Sequence, residues 1–295
     1  MIEGIFVEGL IYAIMALGVF FTFRVLDFPD LTVDGSFPMG AVIMAALLHK
    51  GVSPFFALFL SFSGGVAAGC VTAAIHNKLK VPHLLAGILT MTMLYSVNIR
   101  ILSNRANLPL IRVDTLLTQM HELTKAILAP EYASLIFFVI VVLLIKKALD
   151  IFFITDMGLV FGALGNNEQM VRVQGINPAT LKLIGVGISN GLVALSGAFA
   201  AQYQGFADVN LGQGIVVSGL ASVMLGEFML KSNKISILTL RVVLGAILFK
   251  AIMFLGRYYG YYINMTPNDL KLIAGILIIA SLAAANLKKI KSKGN

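Results

Sequence analysis

The sequence predicts an all-α, polytopic membrane protein with about nine transmembrane helices. Three observations carry this. Of 295 residues, 58% are hydrophobic and only 12% charged, where an ordinary globular chain is about 25% charged. Mean hydropathy is +0.91. The apolar residues fall into long runs separated by short polar gaps. A soluble core of this size could not absorb that much apolar surface, whereas helices of about 20 residues in a bilayer can.

The apolar runs are 4–23, 35–49, 53–76, 82–102, 133–153, 180–204, 214–230, 235–256 and 269–287. The second is short and follows Asp27-Phe28-Pro29-Asp30-Leu31-Thr32-Val33-Asp34-Gly35, a polar stretch containing a proline. Nine spans of about 20 residues use about 180 residues, so the chain reads as one transmembrane domain over 1–295. The longest gap is about 30 residues, too short for a nucleotide-binding domain, and the phosphate-cradling G-x-x-x-x-G-K-[ST] pattern is missing. If ATP drives the protein, another chain binds it.

The charge of +8 is distributed by side. With the tail Lys288-Lys289-Ile290-Lys291-Ser292-Lys293 in the cytoplasm, fourteen lysines and arginines fall on the cytoplasmic side and six on the outer side. The positive-inside rule then predicts a cytoplasmic C-terminus and an outer N-terminus. The basic balance is orientation charge facing membrane lipid, and nucleic-acid binding is not expected. The start carries Glu3 and Glu8 rather than a basic leader. The single cysteine, Cys70, cannot form an intrachain disulfide. His49, His76, His83 and His121 show no metal spacing, so no metal site and no cofactor are expected. No cluster of titratable groups suggests an enzyme.

Two runs carry small residues at helical spacing. Gly187, Gly191, Ala194, Ala198 and Ala201 form one face, and Gly65 and Gly69 form another. Lipid cannot drive helices together by the hydrophobic effect, so such faces mark close helix contacts, within one chain or between two.

Polar groups inside the membrane are costly and usually face a bundle interior or a water-filled path. Thr92, Ser96 and Arg100 step by four along the fourth span, beside Thr90 and Asn98. They read either as a wall of a solute path or as hydroxyls bonded to their own helix with an arginine snorkelling to the interface. Asn190 and Gln202 on the sixth span join the path candidates, as do Ser218 and Ser222 on the seventh. Asp30 and Asp34 suggest a broken helix whose freed backbone groups face a cavity, while Asp34 also suits capping of the second span.

Gap 103–132 is predicted to be extracytoplasmic and to hold an amphipathic helix, from Leu116, Met120, Leu123 and Ile127. Arg105 and Arg112 there run against the charge bias. They suit either an acidic docking surface or lipid phosphate.

Residues 162–176 read as a short cytoplasmic helix between two turns. Asn166 or Asn167 can cap it, Glu168 opens it and Arg172 lies near its end. Met170, Val171 and Val173 give it an apolar side, and Gly175 ends it before Pro178. Such a helix suits docking into a groove of a partner protein.

This segment resembles the coupling loop of ABC importer permeases of the branched-chain amino acid and ribose permease superfamily, roughly R-A-x-G-x-N-x-x-x-A-R-x-x-G-I. Ala163, Gly165, Asn167, Arg172, Gly175 and Ile176 stand in register, and Leu192-Val193-Ala194-Leu195-Ser196-Gly197 follows in the next span. Leu26 to Phe37 occupies the place of the family's N-F-A-x-G segment. Two longer runs, Gly87 to Arg100 and Gln202 to Asp208, resemble a narrower branch labelled as uncharacterised or tryptophan/tyrosine transport permeases. Two positions depart from the pattern. Leu225-Gly226-Glu227-Phe228 replaces a G-G-x-G-S turn, and Gly162 stands where an arginine often opens the coupling loop.

The resemblance implies the type II importer fold, similar to the vitamin B12 importer. It implies a homodimer in a bacterial cell membrane, served by an ABC ATPase subunit and an extracytoplasmic solute-binding protein that delivers a small organic solute such as an aromatic or branched-chain amino acid. In that scheme 162–176 is the coupling helix, and Arg105 and Arg112 meet the binding protein. The competing reading is an ion-coupled secondary transporter using Asp30, Asp34 and Glu227.

Overall fold

In a computed structural model the described residues are 2–111, 113–125, 129–230, 232, 234–260, 272, 275, 276 and 279. Eleven α-helices can be followed among them: α1 (Ile2–Phe20), α2 (Val33–His49), α3 (Pro54–Leu79), α4 (His83–Ile101), α5 (Leu116–Thr124), α6 (Pro130–Ile154), α7 (Asp156–Asn166), α8 (Glu168–Val173), α9 (Pro178–Gln204), α10 (Ile215–Met229) and α11 (Ile235–Gly260). A π-helical turn, Phe21–Val25, extends α1.

Among the described residues six stretches are long and apolar enough to cross a membrane: Glu3–Val25, Pro54–Leu79, His83–Ile101, Pro178–Gln204, Val209–Met229 and Ile235–Gly260. α2 is shorter. α6 has 25 residues and turns Ile136, Val139, Ile140, Leu143 and Leu144 outward, as a lipid-facing helix does. The predicted runs from 4–23 to 235–256 each fall on one of these helices. The predicted ninth span, 269–287, lies almost wholly outside the described residues, as do the lysine-rich tail and Arg112.

Helix α9 is the centre of the bundle, packing against α1, α2 and α3. The two small-residue faces meet each other within the chain. A Cβ on Gly65 would lie 2.3 Å from the Asn190 carbonyl oxygen, and one on Gly69 2.3 Å from that of Val186. α2 approaches from another side, where a Cβ on Gly40 would lie 1.8 Å from the Ala194 carbonyl oxygen. These positions need glycine because backbone touches backbone.

Below α1 the core is aromatic. Phe21 makes edge contacts with Phe152, Phe153 and Phe161, at centroid distances of 5.9, 5.4 and 5.3 Å. This cluster ties α7 to α1 and α6. At the same end, Asp150 accepts from Lys146 and Thr239 and joins α6 to α11. Glu227 binds Arg24 at 2.9 Å and Arg241 at 3.0 Å, joining α1, α10 and α11.

Three features differ from the expected layout. First, residues 103–115 and 205–214 form a joint structure. Strand β1 (Asn107–Pro109) pairs antiparallel with β2 (Phe206–Asp208), with Leu108 opposite Ala207. No periodicity announces three-residue strands. Second, α5 buries Leu116 and Leu117, while Leu123 is 82% exposed. Its apolar contact is one position off the expected stripe, because the Thr115–Thr118 capping box starts the helix against α6 and α9. Third, the short helix read within 162–176 forms between its cap and Gly175, but a second helix stands where the turn before it was expected. α7 ends at Asn166, and Asn167, in extended backbone, starts α8 by accepting from the Met170 N–H at 3.1 Å.

Candidate functional site

Two places combine open volume with polar groups on the predicted segments: the break at which α2 and α10 begin, and the end of the molecule that carries α7 and α8.

The first arises because the chain does not cross the bundle fully after α1. It turns at Leu26 and runs back, so that Asp30 meets Asn190, midway along α9. Asp30 is buried. One carboxylate oxygen accepts from Asn190 Nδ2 at 2.6 Å, and the other from the Thr32 N–H at 2.8 Å. Thr32 and Thr72 share a hydroxyl bond at 2.6 Å, and Ser36 donates to Asn190 Oδ1 at 2.7 Å. α2 therefore starts deep in the bundle, and its 17 residues rise about 25 Å, less than a full bilayer core.

Asp34 lies in the first turn of α2, so it does not cap that helix. Its carboxylate caps α10 instead, accepting from the N–H groups of Gly214 at 3.1 Å and Val216 at 2.8 Å. The broken-helix reading accounts for this geometry: α10 also begins inside the bundle, and a carboxylate satisfies N–H groups that lipid could not. A cavity of about 260 Å³ opens beside this junction, lined by Asp34, Gly35, Pro38, Met91, Thr92, Tyr95, Asn98, Val209, Asn210 and Gln213.

Of the predicted path residues, Asp34, Thr92 and Asn98 come together here. Thr92 and Ser96 are exposed on α4, with Arg100 on the same face, and Thr92 donates to the Ile88 carbonyl of its own helix at 2.8 Å. Asn98 donates to the Gly35 carbonyl at 3.2 Å. Asp30 and Asn190 belong to the internal network. Gln202 accepts from the Leu116 N–H at 2.9 Å and holds the start of α5. Ser218 and Ser222 each donate to a carbonyl one turn back. The sequence reading missed Tyr95, Asn210 and Gln213. Asn210 and Gln213 sit in the irregular stretch 205–214, where only the returning chain brings them to the cavity.

The second place is built on α8. Its Val171 is 1% exposed and points inward, whereas Met170 is 54% and Val173 88% exposed. Glu168 fastens the helix. It accepts from Arg172 at 3.0 Å and from Lys182, in the first turns of α9, at 2.7 Å. Lys182 Nζ also lies 3.3 Å from His76 Nε2 on α3, and Asn77 donates to the Ala179 carbonyl at 2.9 Å. The Lys182 ammonium, with help from Arg172, holds the Glu168 carboxyl below its ordinary value against the opposing effect of burial. Gly175 closes α8 with a φ of +81°, a left-handed turn suited to glycine. Ile176 packs on the main core. Gly165 fits against the Val25 carbonyl, where a Cβ would come within 2.1 Å, and so locks α7 to the turn after α1. Asn166 lies beside Gly162 and Gly165 in a cavity of about 490 Å³ against α1 and α11, and a larger one of about 710 Å³ runs between α8, α9 and the end of α3.

Arg105 is exposed in the turn between α4 and β1. Among the described residues no group of three or more His, Cys, Asp or Glu side chains could hold a metal ion.

The family described as "Branched-chain amino acid transport system / permease component" matches residues 1–282. The tyrosine transport system permease protein of Clostridioides difficile (strain R20291) is 39% identical over 294 residues, covering 100% of this chain and 94% of that protein. An uncharacterised protein of Rickettsia prowazekii (strain Madrid E) is 30% identical over 94% of this chain and 95% of its own length. More distantly, the autoinducer 2 import system permease protein of Photorhabdus laumondii is 26% identical, over 86% of this chain and 72% of that protein. No solved structure matches the chain.

Proposed function

The chain belongs to the branched-chain amino acid transport system permease family, and from that membership we propose a specific role: it forms the membrane pathway through which an ATP-driven importer takes up an amino acid handed over by a solute-binding protein. It is a transport subunit and not an enzyme. The tyrosine label of the 39% identical relative favours an aromatic amino acid as cargo.

In this reading the chain works as a homodimer of nine-span subunits with the type II importer architecture, in a bacterial cell membrane, with its C-terminus in the cytoplasm. Each subunit would dock one ABC ATPase through α7 and α8. ATP would stay on that partner, in keeping with the missing G-x-x-x-x-G-K-[ST] pattern. Closure of the ATPase pair would push α8, and the push would pass through Glu168 and Lys182 into α9, the helix on which α1, α2 and α3 pack. That is rigid-body switching of a packed interface, which is bistable rather than continuously deformable. Arg105 and the neighbouring Arg112 would face the binding protein on the opposite side.

One observation carries the proposal. α8 is tethered by buried and charged contacts on its inner side while it presents Met170 and Val173 outward. A helix fixed at the back and apolar at the front suits a groove in a partner. The ion-coupled alternative is less favoured because two of its three carboxylates are engaged in structure: Asp30 with Asn190 and the Thr32 N–H, and Glu227 with Arg24 and Arg241.

Affinity purification in mild detergent from native membranes tests this. An ABC ATPase should co-purify with the chain and be lost when Met170 and Val173 are changed to aspartate. Recovery of the chain alone, in a form that transports on an ion gradient, would sink the proposal.

A further inference from the structure

We propose that the cavity at the junction of α2 and α10 is the permease's own contact for the ammonium end of its cargo, with Asp34 and Asn98 as the groups that receive it. The inference deepens the amino-acid importer reading and rests on it.

The argument begins with an imbalance of donors and acceptors. Asn98 is 1% exposed, its Nδ2 is used on the Gly35 carbonyl, and its Oδ1 has no hydrogen-bond partner among the described residues. A buried acceptor without a donor is rare in a native structure. The same wall carries Asp34. Each of its carboxylate oxygens accepts one backbone N–H, and a carboxylate has about four acceptor sites, so capacity remains. The Thr92 hydroxyl proton is already given to the Ile88 carbonyl. The lining holds no lysine, arginine or histidine. The cavity wall thus carries a carboxylate with acceptor capacity and an unfilled amide oxygen, a pair that a compact, strongly donating –NH₃⁺ group satisfies.

Tyr95 adds a second element. It is 47% exposed on α4 at the cavity edge. An aromatic face beside an ammonium contributes a cation–π attraction, and it can also stack on an aromatic cargo. The cavity of about 260 Å³ falls just below the usual range for ligand pockets, about 300–1,000 Å³. That size suits one end of an amino acid rather than all of it. Gln213 supplies a neutral amide for the rest.

The test uses the permease purified with its ATPase, carrying Asn210→Cys at the cavity edge and Cys70→Ala elsewhere. Maleimide labelling of the introduced thiol is timed with L-tyrosine, with tyramine, and with 3-(4-hydroxyphenyl)propionate, which lacks the amine. L-Tyrosine and tyramine should protect the thiol. The des-amino acid should need at least about tenfold more ligand, the factor carried by one hydrogen bond to a charged group. Asn98→Leu should abolish the difference. If that variant does not assemble, Asp34→Asn, which keeps an acceptor for α10 and removes the charge, should reduce it. Equal protection by all three compounds, or protection by none, overturns the inference. Failure of the ATPase to co-purify with the Asn210→Cys chain would instead count against the importer reading, and the protection pattern would still decide the cavity's preference.

Discussion

Asp30 and Asp34 are one helical turn apart in sequence and serve different ends. Asp30 is enclosed by Asn190, Thr32 and the hydroxyl pair beyond it, so it organises the point where the chain turns back toward α2. Asp34 bridges two helix starts and keeps acceptor capacity toward a cavity. Replacing Asn190 by leucine removes partners from both Asp30 and Ser36. It should destabilise the protein by about 2 kcal/mol or more, read as a lower melting temperature in detergent, while Ser63→Ala on the exposed side of α3 leaves it unchanged. A sharper steric case is Gly65→Val. Its side chain would have to occupy the position of the Asn190 carbonyl, so the α3–α9 seam must open. We expect little folded protein by size-exclusion chromatography, against a normal yield for Gly162→Ala, where an added Cβ meets nothing within 4 Å.

Among the helices, α8 is the clearest case of short structure with a large consequence. It has six residues, too few to be stable alone, and is held by the Asn167 cap, the buried Val171 and the Glu168–Lys182 pair. Glu168→Gln should leave α8 in place through the cap and Val171, yet loosen its link to α9. ATPase binding should survive, and ATP hydrolysis should become less dependent on cargo-loaded binding protein, which a stimulated-ATPase assay reads. The pH dependence follows from the lowered Glu168 carboxyl. A depressed folded value means that the tether contributes fully above the ordinary value of 4.5 and is lost as pH falls through the lower folded value. Coupling should therefore hold from neutral pH down to the ordinary carboxylate range, and the Gln variant should show no such acid limb.

The long helices were readable from hydropathy alone because lipid imposes one demand along their whole length. The small-residue faces of α3 and α9 were readable too, although only coordinates reveal that they meet each other. What sequence patterns could not supply was long-range and local at once: the three-residue pairing of β1 with β2, the burial of Leu117 in place of Leu123, and the packing of α7 against α1 ahead of Asn167. Each is decided by neighbours far along the chain, not by a period within it. The candidate cavity shows the same split. Asp34, Thr92 and Asn98 stood out as polar residues in apolar runs, whereas Asn210 and Gln213 lie in a loop with no pattern.

For the molecule as a whole, α9 is the packing axis. α8 is tied to its first turns and Asp30 to its middle, while Gln202 near its far end holds α5. A displacement applied at α8 therefore has a continuous packed route to the cavity between α2, α4 and α10. The tight backbone contacts along that route favour movement of α2, α3 and α9 as one body. A disulfide engineered between α2 and α10, which touch, should hold this body against α10, abolishing cargo uptake while ATPase binding persists, with uptake restored by reductant.

The most direct measurement is uptake of L-tyrosine and other amino acids into liposomes that contain the purified permease with its ATPase, with binding protein supplied on the outside. The account predicts uptake that requires ATP on the ATPase side and the binding protein, continues after proton and sodium gradients are collapsed, and stops when Met170 and Val173 are changed to aspartate. Uptake by the permease chain alone, driven by an ion gradient and indifferent to ATP, would contradict it.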